Sequence, residues 1–385
     1  MKINGIQFLL NASWMTAAIF VPLLAKEFGA STAEVGIIVM VYGLTYFLAS
    51  HIFGRASDIY GRRVIIISGL FLSMLAFFIQ IFAYDVLSLI VVRGLAGFAL
   101  GIVPAALITY AYERKKPLGE FSSYGSLGWA FGNLITIIAA YKNIIIAGSL
   151  LFGFFGVFMA EDTSFYKLLF LIASFLLLIA FLLSFKLQKS KETRVNVPFF
   201  PAKLIKKNLS VYLSFFIRNL GAWAVWAIFP IYLSLMGASL FIIGVVYIVN
   251  SGAQVIIMRV IDKHVERLGC EKFIAIGLSL SVVVFVLYGL IGQYDIGYHM
   301  FFPVQLLLAA SYSCLYVGSL VSLTSKNIER ATSIGGLNAV MGLSSVAGPL
   351  LGGAIAELLG YSSLMYAAAF LGMIGLLSNY ILRRK

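Results

Sequence analysis

The stretch FGRASDIYGRR, residues 53–63, concentrates charge in a chain of which only 11% of the residues are charged. It contains the carboxylate of Asp58 and the guanidinium groups of Arg62 and Arg63, with Gly54 and Gly61 among them. Gly54 permits close approach of another helix, and Gly61 permits a turn with positive φ. Two interpretations fit this segment. The charges keep a short loop on one side of a membrane, or the acid also contacts another element.

Enzyme chemistry has little support in the sequence. The three histidines, His51, His264 and His299, are dispersed, and no G-x-x-x-x-G-K-[ST] loop is present to hold a nucleotide phosphate. The two cysteines, Cys270 and Cys314, give neither a disulfide framework nor a paired metal site. The sequence therefore predicts no enzymatic activity, no cofactor and no metal site.

The composition predicts an all-α membrane protein. Apolar residues make up 61% of the chain, and the mean hydropathy is +1.00, whereas soluble domains are about 45–50% apolar. Runs long enough to cross the ~30 Å hydrocarbon layer recur, and we interpret them as twelve transmembrane helices. The first run follows Lys2 and is not ended by a cleavage site, so we expect it to be a mature helix.

The net charge of +13 is a topology signal. Most of the 28 Lys and Arg residues lie in alternate loops, and short cytoplasmic loops are enriched in these residues. This distribution predicts that both termini and the basic loop near residue 195 face the cytoplasm, and no nucleic-acid partner is needed to explain the charge. Residues 121–160 are too long for one straight span, since 40 helical residues cover about 60 Å. We expect an extended or broken fifth helix with an inserted outer segment.

Internal repeats predict two related halves. Asn11, Pro22 and the GAS segment at 29–31 recur 208 positions later, and the pattern of Asp58 recurs at an offset of 204 as RVIDKHVER, with Asp262 and Arg267. We expect two pseudo-symmetric six-helix bundles, residues 1–185 and 209–385, joined by a basic cytoplasmic linker, 186–208. Around PAKLIKKNL the linker is either a plain solvated loop or a short amphipathic surface helix.

Six plus six helices, a basic central loop and the pattern G-x-x-x-D-x-x-G-R-R between spans two and three resemble the major facilitator superfamily of secondary transporters. The pattern is formed by Gly54, Asp58, Gly61, Arg62 and Arg63. The resemblance covers nearly the whole chain and implies that this loop is a cytoplasmic latch between the halves. It further implies that Asp58 engages the start of helix eleven and that the arginines pair with nearby carboxylates. A carboxylate at a helix N-terminus is favoured by free amides and the macrodipole.

Three further segments resemble family patterns less completely. In the fourth span, RGLAGFALG contains Arg93, Gly97 and Gly101, at spacings that permit close helix packing. Arg93 either orients groups for proton or substrate handling or is a structural arginine that bonds to carbonyls and reaches toward Asp85. The resemblance does not choose between these roles.

The exporter-associated pattern is only partly present in the fifth span, where GWAFGNLIT has Gly128 and Gly132 but lacks the proline. It is fuller in the eleventh span, where SSVAGPLLGG has Gly348, Pro349 and Gly352. We expect the latter segment to pack against the partner half. The departure in the fifth span leaves an antiport mechanism open.

Arg218 lies about 13 Å into the seventh span. An intramembrane arginine must face a cavity, a counter-ion or backbone oxygens. We expect Arg218 to line the central cavity and attract an anionic group, the alternative being a structural arginine bonded to carbonyls. All carboxylates lie in loops or near span ends, so that Asp58, Glu113, Asp85 and Glu357 are the remaining candidates for proton exchange.

The resemblance implies a cavity formed by helices one, two, four, five, seven, eight, ten and eleven. These helices carry polar and aromatic groups suited to a partly apolar solute. The candidates besides Arg218 are Asn11, Trp14, Tyr42, Tyr46, Asn133, Asn219, Trp223, Trp226, Asn250, Gln254, Tyr312, Tyr316 and Asn338.

These observations predict a monomeric multi-pass transporter of the cell membrane, in contact with the lipid bilayer. It would move a small organic solute by alternating access, with an exporter favoured and protons as one candidate coupling ion. Two alternatives stay open. One is an importer or uniporter of an organic anion or sugar, and the other is a receptor or scaffold that moves nothing.

Overall fold

The structure is a computed structural model that describes residues 2–18, 21–140, 164–188 and 195–383. These residues form α-helices joined by short connections, two of which contain 3-10 turns. The helices are, in chain order, α1 (Lys2–Ala18), α2 (Val21–Glu27), α3 (Thr32–Tyr60), α4 (Arg62–Ile79), α5 (Val86–Glu113), α6 (Leu118–Ala140), α7 (Ser164–Ser184), α8 (Ala202–Lys207), α9 (Leu209–Leu235), α10 (Leu240–Leu268), α11 (Cys270–Gln293), α12 (Phe301–Lys326), α13 (Arg330–Leu359) and α14 (Tyr361–Arg383).

The helices form two six-helix bundles, the first half from α1–α7 and the second half from α9–α14. In the part of the chain that the structure describes, ten helices are long and apolar enough to cross a membrane. The first position is taken by α1 with α2 and the fifth by α6, while α8 lies in the linker. The expected path of the fifth region through residues 141–160 lies outside the described residues.

The repeated GAS segments are turns that start the second helix of each half. Gly29 and Gly237 have φ angles of 79° and 85°, a region that favours glycine. Ser31 and Ser239 then cap α3 and α10, because each side chain accepts a hydrogen bond from an amide of the first turn. The repeat at an offset of 208 therefore marks the same helix start in both halves.

The ends of these two helices keep the same offset. Both α3 and α10 have 29 residues, and the glycines that follow them, Gly61 and Gly269, have φ angles of 104° and 92°. The alignment of Asp58 with Asp262 at an offset of 204 therefore does not join equivalent positions. Asp262 lies one helical turn farther from the end of its helix than Asp58 does.

The glycines of the fourth span let α5 pack tightly on α3. A Cβ atom at Gly97 would lie 2.3 Å from the carbonyl oxygen of Tyr42, and one at Gly101 would lie 2.7 Å from that of Tyr46. Side chains at these positions would push the two backbones apart. Small residues thus set the helix spacing within the first half.

The glycines of the exporter-like patterns pack within their own halves. Cβ atoms at Gly128 and Gly132 would lie 2.3 and 2.6 Å from carbonyl oxygens of α1. Those at Gly348 and Gly352 would lie 2.6 and 2.4 Å from atoms of α9, and Pro349 lies between them inside α13. The expectation that the eleventh-span segment packs against the partner half is therefore wrong, since its glycines face α9 of the same half.

The two halves meet most extensively along two helix pairs, α3 with α13 and α6 with α10, and α5 also contacts α13. A Cβ atom at Gly54 would lie 2.8 Å from the carbonyl oxygen of Ala331, and one at Gly335 would lie 2.6 Å from that of Ser50. We call the end of the molecule that holds these contacts and Asp58 the latch end. At this end, the backbones of the two halves touch directly.

The linker is attached to the first half at the latch end. The amide of Val195 donates to the carbonyl oxygen of Asp58 at 3.0 Å, and Arg55 Nε donates to that of Val197 at 2.6 Å. His51 Nε2 lies 3.2 Å from the carbonyl oxygen of Phe199. Residues 195–199 therefore follow the surface of α3 before the chain enters α8.

Candidate functional site

Asp58 lies at the start of α13. Its carboxylate accepts hydrogen bonds from the amides of Ala331 at 3.3 Å and Thr332 at 2.7 Å, and from the Thr332 hydroxyl at 2.5 Å. These amides belong to the first turn of the helix, where backbone donors have no partner within the helix. The structure thus places an acid of the first half on the helix N-terminus of the second half, across the interface that Gly54 keeps narrow.

Arg62 joins two carboxylates beside this contact. Its Nη2 atom lies 2.9 Å from Asp58 Oδ1 and 3.1 Å from Glu113 Oε1, and its Nη1 atom donates to the Ser57 carbonyl oxygen. The side chains of Asp58 and Arg62 are fully buried. Burial strengthens each attraction, but it also makes the loss of one partner costly.

Arg63 has a different set of contacts. Its Nε atom donates to the carbonyl oxygen of Leu187 at 2.9 Å, and Nη2 donates to that of Phe185 at 3.1 Å. These two carbonyls follow the last helix of the first half. Arg63 therefore ties the loop to the start of the linker, a contact that the spacing of the motif did not indicate.

A second acid makes the reciprocal contact. Asp262 of α10 accepts hydrogen bonds from the amides of Gly119 at 2.7 Å and Glu120 at 3.3 Å, in the first turn of α6. Each half thus places an acid from its second helix on the fifth helix of the other half. Arg267 takes no part in this contact; it is exposed and has no ion pair within the described ranges.

A cavity with a volume of about 250 Å³ lies between the halves. The cavity is lined by the eight spans that the resemblance implied. The helices that contribute are α1 and α2, which together form the first span, and α3, α5, α6, α9, α10, α12 and α13. Aromatic rings form much of its wall: Trp14 lies 5.7 Å from Trp129, Trp129 lies 6.1 Å from Tyr312, and Tyr312 stacks on Tyr316 at 5.3 Å, measured between ring centroids.

The structure places several of the candidate residues in this lining and others elsewhere. The candidates that line the cavity are Asn11, Trp14, Tyr42, Tyr46, Trp223, Tyr312, Tyr316 and Asn338. The candidates that do not line it are Asn133, Arg218, Asn219, Trp226, Asn250 and Gln254.

Two of the residues outside the lining belong to a hydrogen-bonded chain, which crosses between the halves at Gln254. Ser126 of α6 donates to Gln254 Oε1 at 2.9 Å, and Gln254 Nε2 donates to Asn250 Oδ1 at 2.7 Å. Asn250 in turn donates to the carbonyl oxygen of Gln305 at 3.2 Å. This buried chain of amides satisfies polar groups between α6, α10 and α12, which is a packing role.

Arg218 does not line the cavity, contrary to expectation. It is buried between α9 and α11, where Nε donates to Ser281 Oγ at 2.8 Å and Nη1 donates to Asn219 Oδ1 at 2.9 Å. Its guanidinium carbon lies 5.9 Å from the centre of the Phe285 ring. Residue counting gives the depth of Arg218 along the span but not the direction of its side chain, and the expected direction was wrong.

Arg93 does line the cavity. Its Nη1 atom donates to Gln80 Oε1 at 3.2 Å, and its guanidinium carbon lies 4.2 Å over the ring of Tyr42. The expected approach to Asp85 is not seen. The Asp85 carboxylate instead caps α5 by accepting a hydrogen bond from the Ser88 amide at 2.7 Å.

The cap also bears on proton exchange at Asp85. Hydrogen bonds from the side chain and amide of Ser88 hold the pKa of Asp85 below its ordinary value. A carboxyl group with a lowered pKa stays ionised near neutral pH and is a poor proton carrier there. Asp85 is therefore a poor candidate for the residue that couples transport to protons.

Some lining residues were missed at the level of sequence. Gln7, Trp129 and Ser126 face the cavity from α1 and α6. Trp129 directly follows Gly128, and the close contact of Gly128 with α1 fixes the rotation of α6 about its axis. Once the helix that contacts Gly128 is known, this rotation indicates that Trp129 faces the cavity.

A family model described as Major Facilitator Superfamily matches residues 3–337 and 211–385. These two matches together cover nearly the whole chain. The chain belongs to the major facilitator superfamily.

Curated relatives align over almost their full length. The multi-drug resistance efflux pump PmrA of Streptococcus pneumoniae is 24% identical, with 97% of this chain and 93% of the relative covered. The multidrug resistance protein MdtG of Proteus mirabilis is also 24% identical, with the same coverage of both chains.

Solved structures show the same fold. The human organic anion transporter MFSD10 (TETRAN) superposes with a TM-score of 0.70 at 13% identity, covering 98% of both chains. The transporter FucP in the outward conformation superposes with a TM-score of 0.70 at 16% identity, covering 99% of this chain and 97% of that one. Membership of this transporter family, together with the two efflux relatives, makes the protein a multi-pass membrane protein and a secondary transporter of small-molecule solutes, not an enzyme.

Proposed function

We propose that this transporter exports a small, partly apolar organic solute across the cell membrane by alternating access. The observation that carries the proposal is the aromatic cavity between the halves, above a latch end that is closed by Asp58 on α13. Two relatives that align with nearly the whole chain have names that describe multidrug efflux. Export is the direction that these relatives support.

The geometry of the latch suggests how access alternates. Opening the latch end requires Asp58 to leave the amides of Ala331 and Thr332 and Asp262 to leave that of Gly119. Helix N-termini stabilise carboxylates, so both contacts favour the state that is closed at this end. Solute binding must supply free energy that offsets their loss.

The latch end belongs on the cytoplasmic side in this proposal, because the basic loops lie there. We expect a cysteine introduced as Tyr60→Cys, at a side chain that is 64% exposed, to react with a membrane-impermeant maleimide only after the cells are opened. The matched control is Tyr84→Cys, which is 78% exposed beyond the other end of α4, and which should react in intact cells. Both variants carry serine at Cys270 and Cys314. The reverse labelling pattern would invert the proposed orientation.

Transport is tested with purified protein in vesicles that contain neutral, anionic or cationic fluorescent solutes, with and without a pH gradient. Gradient-driven efflux supports a coupled exporter. Flux that ignores the gradient indicates a uniporter, and accumulation against the expected direction indicates an importer. Vesicles that behave like protein-free vesicles for every solute would overturn transport of these solutes and leave a receptor or scaffold role.

A further inference from the structure

Arg93 is a cation held in the wall of the cavity, about 10 Å along α5 from its start. The residue is only 5% exposed, yet it belongs to the cavity lining. Its hydrogen bond to Gln80 uses Nη1, and no carboxylate pairs with it among the residues that the structure describes. A buried cation without a counter-charge inside a membrane points to a functional site.

The other unsatisfied polar atoms of the lining have a common chemistry. Among the described residues, the buried lining atoms without a hydrogen-bond partner are Arg93 Nε, Trp129 Nε1, Asn338 Nδ2 and the hydroxyls of Tyr42 and Ser122. Every one of these groups is able to donate a hydrogen bond. Buried donors are normally paired, so a ligand with acceptor oxygens fits this wall better than one with donors.

The charge balance favours the same ligand. The described lining residues include no Asp or Glu. In a site walled by apolar groups, the charge of Arg93 acts over a longer distance than it would in water. A cationic solute would find no counter-ion in this lining.

We propose that Arg93 binds the carboxylate of an amphipathic organic acid, while the rings of Trp14, Trp129 and Tyr312 contact its apolar body. A guanidinium group matches the two oxygens of a carboxylate, and such charge-assisted hydrogen bonds are stronger than neutral ones. The proposal rests on the proposed function, since it names the class of solute for the same cavity. Arg93 is thus the residue that makes the cavity selective for organic anions over other amphipathic molecules.

The test is equilibrium binding to the purified full-length protein at pH 7, followed by quenching of its tryptophan fluorescence. Three probes share one ring system: 2-naphthoate, 2-naphthamide and 2-naphthylmethylammonium. We expect 2-naphthoate to bind about tenfold tighter than the amide, with the cation weakest. Arg93→Gln should raise the Kd of 2-naphthoate about tenfold and change that of the amide less than about twofold. Arg93→Lys should give an intermediate Kd, because it keeps the charge but not the fork.

The matched control is Arg259→Gln. The Arg259 guanidinium also lies over a tyrosine, 5.3 Å from the ring of Tyr124, but it does not line the cavity. This change should leave binding of all three probes unaltered. If Arg93→Gln also loses binding of 2-naphthamide, the cavity of that variant is no longer intact. The comparison of naphthoate binding with amide binding is then made in Arg93→Lys.

Three results would overturn the proposal: no preference for 2-naphthoate in the wild-type protein, unchanged naphthoate binding without Arg93, or an equal loss in Arg259→Gln. Binding is measured without transport, so the two proposals fail separately. Selective naphthoate binding without any flux would refute export alone. Efflux of neutral or cationic dyes by a protein without anion selectivity would refute only the role of Arg93.

Discussion

Asp58, Arg62 and Glu113 form one electrostatic unit at the latch end, because a single guanidinium group bridges both acids. This arrangement explains why the arginine directly follows the glycine turn. Gly61 has a φ of 104°, which ends α3 and starts α4 at once, so that Arg62 turns back toward Asp58. The motif is therefore a local device for burying an acid next to the interface.

Replacing Arg62 by methionine should destabilise the protein. The change leaves the buried Asp58 without its cation, and breaking a buried ion pair on one side costs about 3–5 kcal/mol. We expect a clearly lower midpoint of thermal unfolding in detergent, measured by intrinsic fluorescence. Arg267→Met is the control, because Arg267 is exposed and surface changes usually stay within about 0.5 kcal/mol. Equal midpoints for the two variants would contradict the role given to Arg62.

At the scale of elements, glycines decide how closely the helices approach one another. Gly352 and Gly353 are neighbours in α13, but they face different surroundings. A Cβ atom at Gly352 would lie 2.4 Å from the carbonyl oxygen of Ala224, whereas one at Gly353 would meet no atom within 4 Å. Of the two adjacent glycines in the motif, only Gly352 is therefore required for close packing.

This difference gives a matched pair of variants. Gly352→Ala should lower stability, since overpacking a tight contact typically costs about 1–3 kcal/mol. Gly353→Ala should be neutral or stabilising, because alanine is favoured over glycine in a helix interior by about 1 kcal/mol. Thermal unfolding of both variants, at equal protein and detergent concentrations, checks the prediction. A larger loss of stability in Gly353→Ala than in Gly352→Ala would contradict the close contact of Gly352 with α9.

Sequence reasoning predicted the elements better than it predicted the directions of their side chains. Span number, the turn at Gly61 and the role of small residues follow from hydropathy, backbone conformation and local spacing. Whether Arg218 or Arg93 faces the cavity does not, because lipid-facing and buried helix surfaces are both apolar and leave no polar stripe to mark the inner face. The alignment of Asp262 with Asp58 in the internal repeat was also wrong, since the short charged pattern matched one helical turn out of register.

At the scale of the molecule, two acids hold the halves together from opposite sides of the interface. Asp58 is fully buried and paired with Arg62, whereas Asp262 is partly exposed and bonded to the amides of α6. The buried contact should dominate, because solvent weakens the exposed one. The two contacts are far apart in sequence but oppose the same opening movement.

We therefore expect Asp58→Asn to open the latch end more than Asp262→Asn does. Loss of one charge-assisted contact should shift the equilibrium by about tenfold for Asp58 and by only a few-fold for Asp262. The measurement is the rate at which a cysteine placed as Ser123→Cys reacts with a maleimide in a background without other cysteines, because the Ser123 side chain is buried and its hydroxyl accepts a hydrogen bond from Arg259 of the other half. The double variant should react fastest. A faster reaction in Asp262→Asn than in Asp58→Asn would reverse the assigned order of strength.

The attachment of residues 195–199 to α3 has a mechanical consequence. Val195, Val197 and Phe199 are bonded to the backbone or side chains of α3. This part of the connection therefore moves together with the first bundle, and the residues around α8 are left to bend when the bundles tilt. The flexible connection between the two bundles is thus short and starts beside Asp58, so its length limits the angle through which the bundles can tilt.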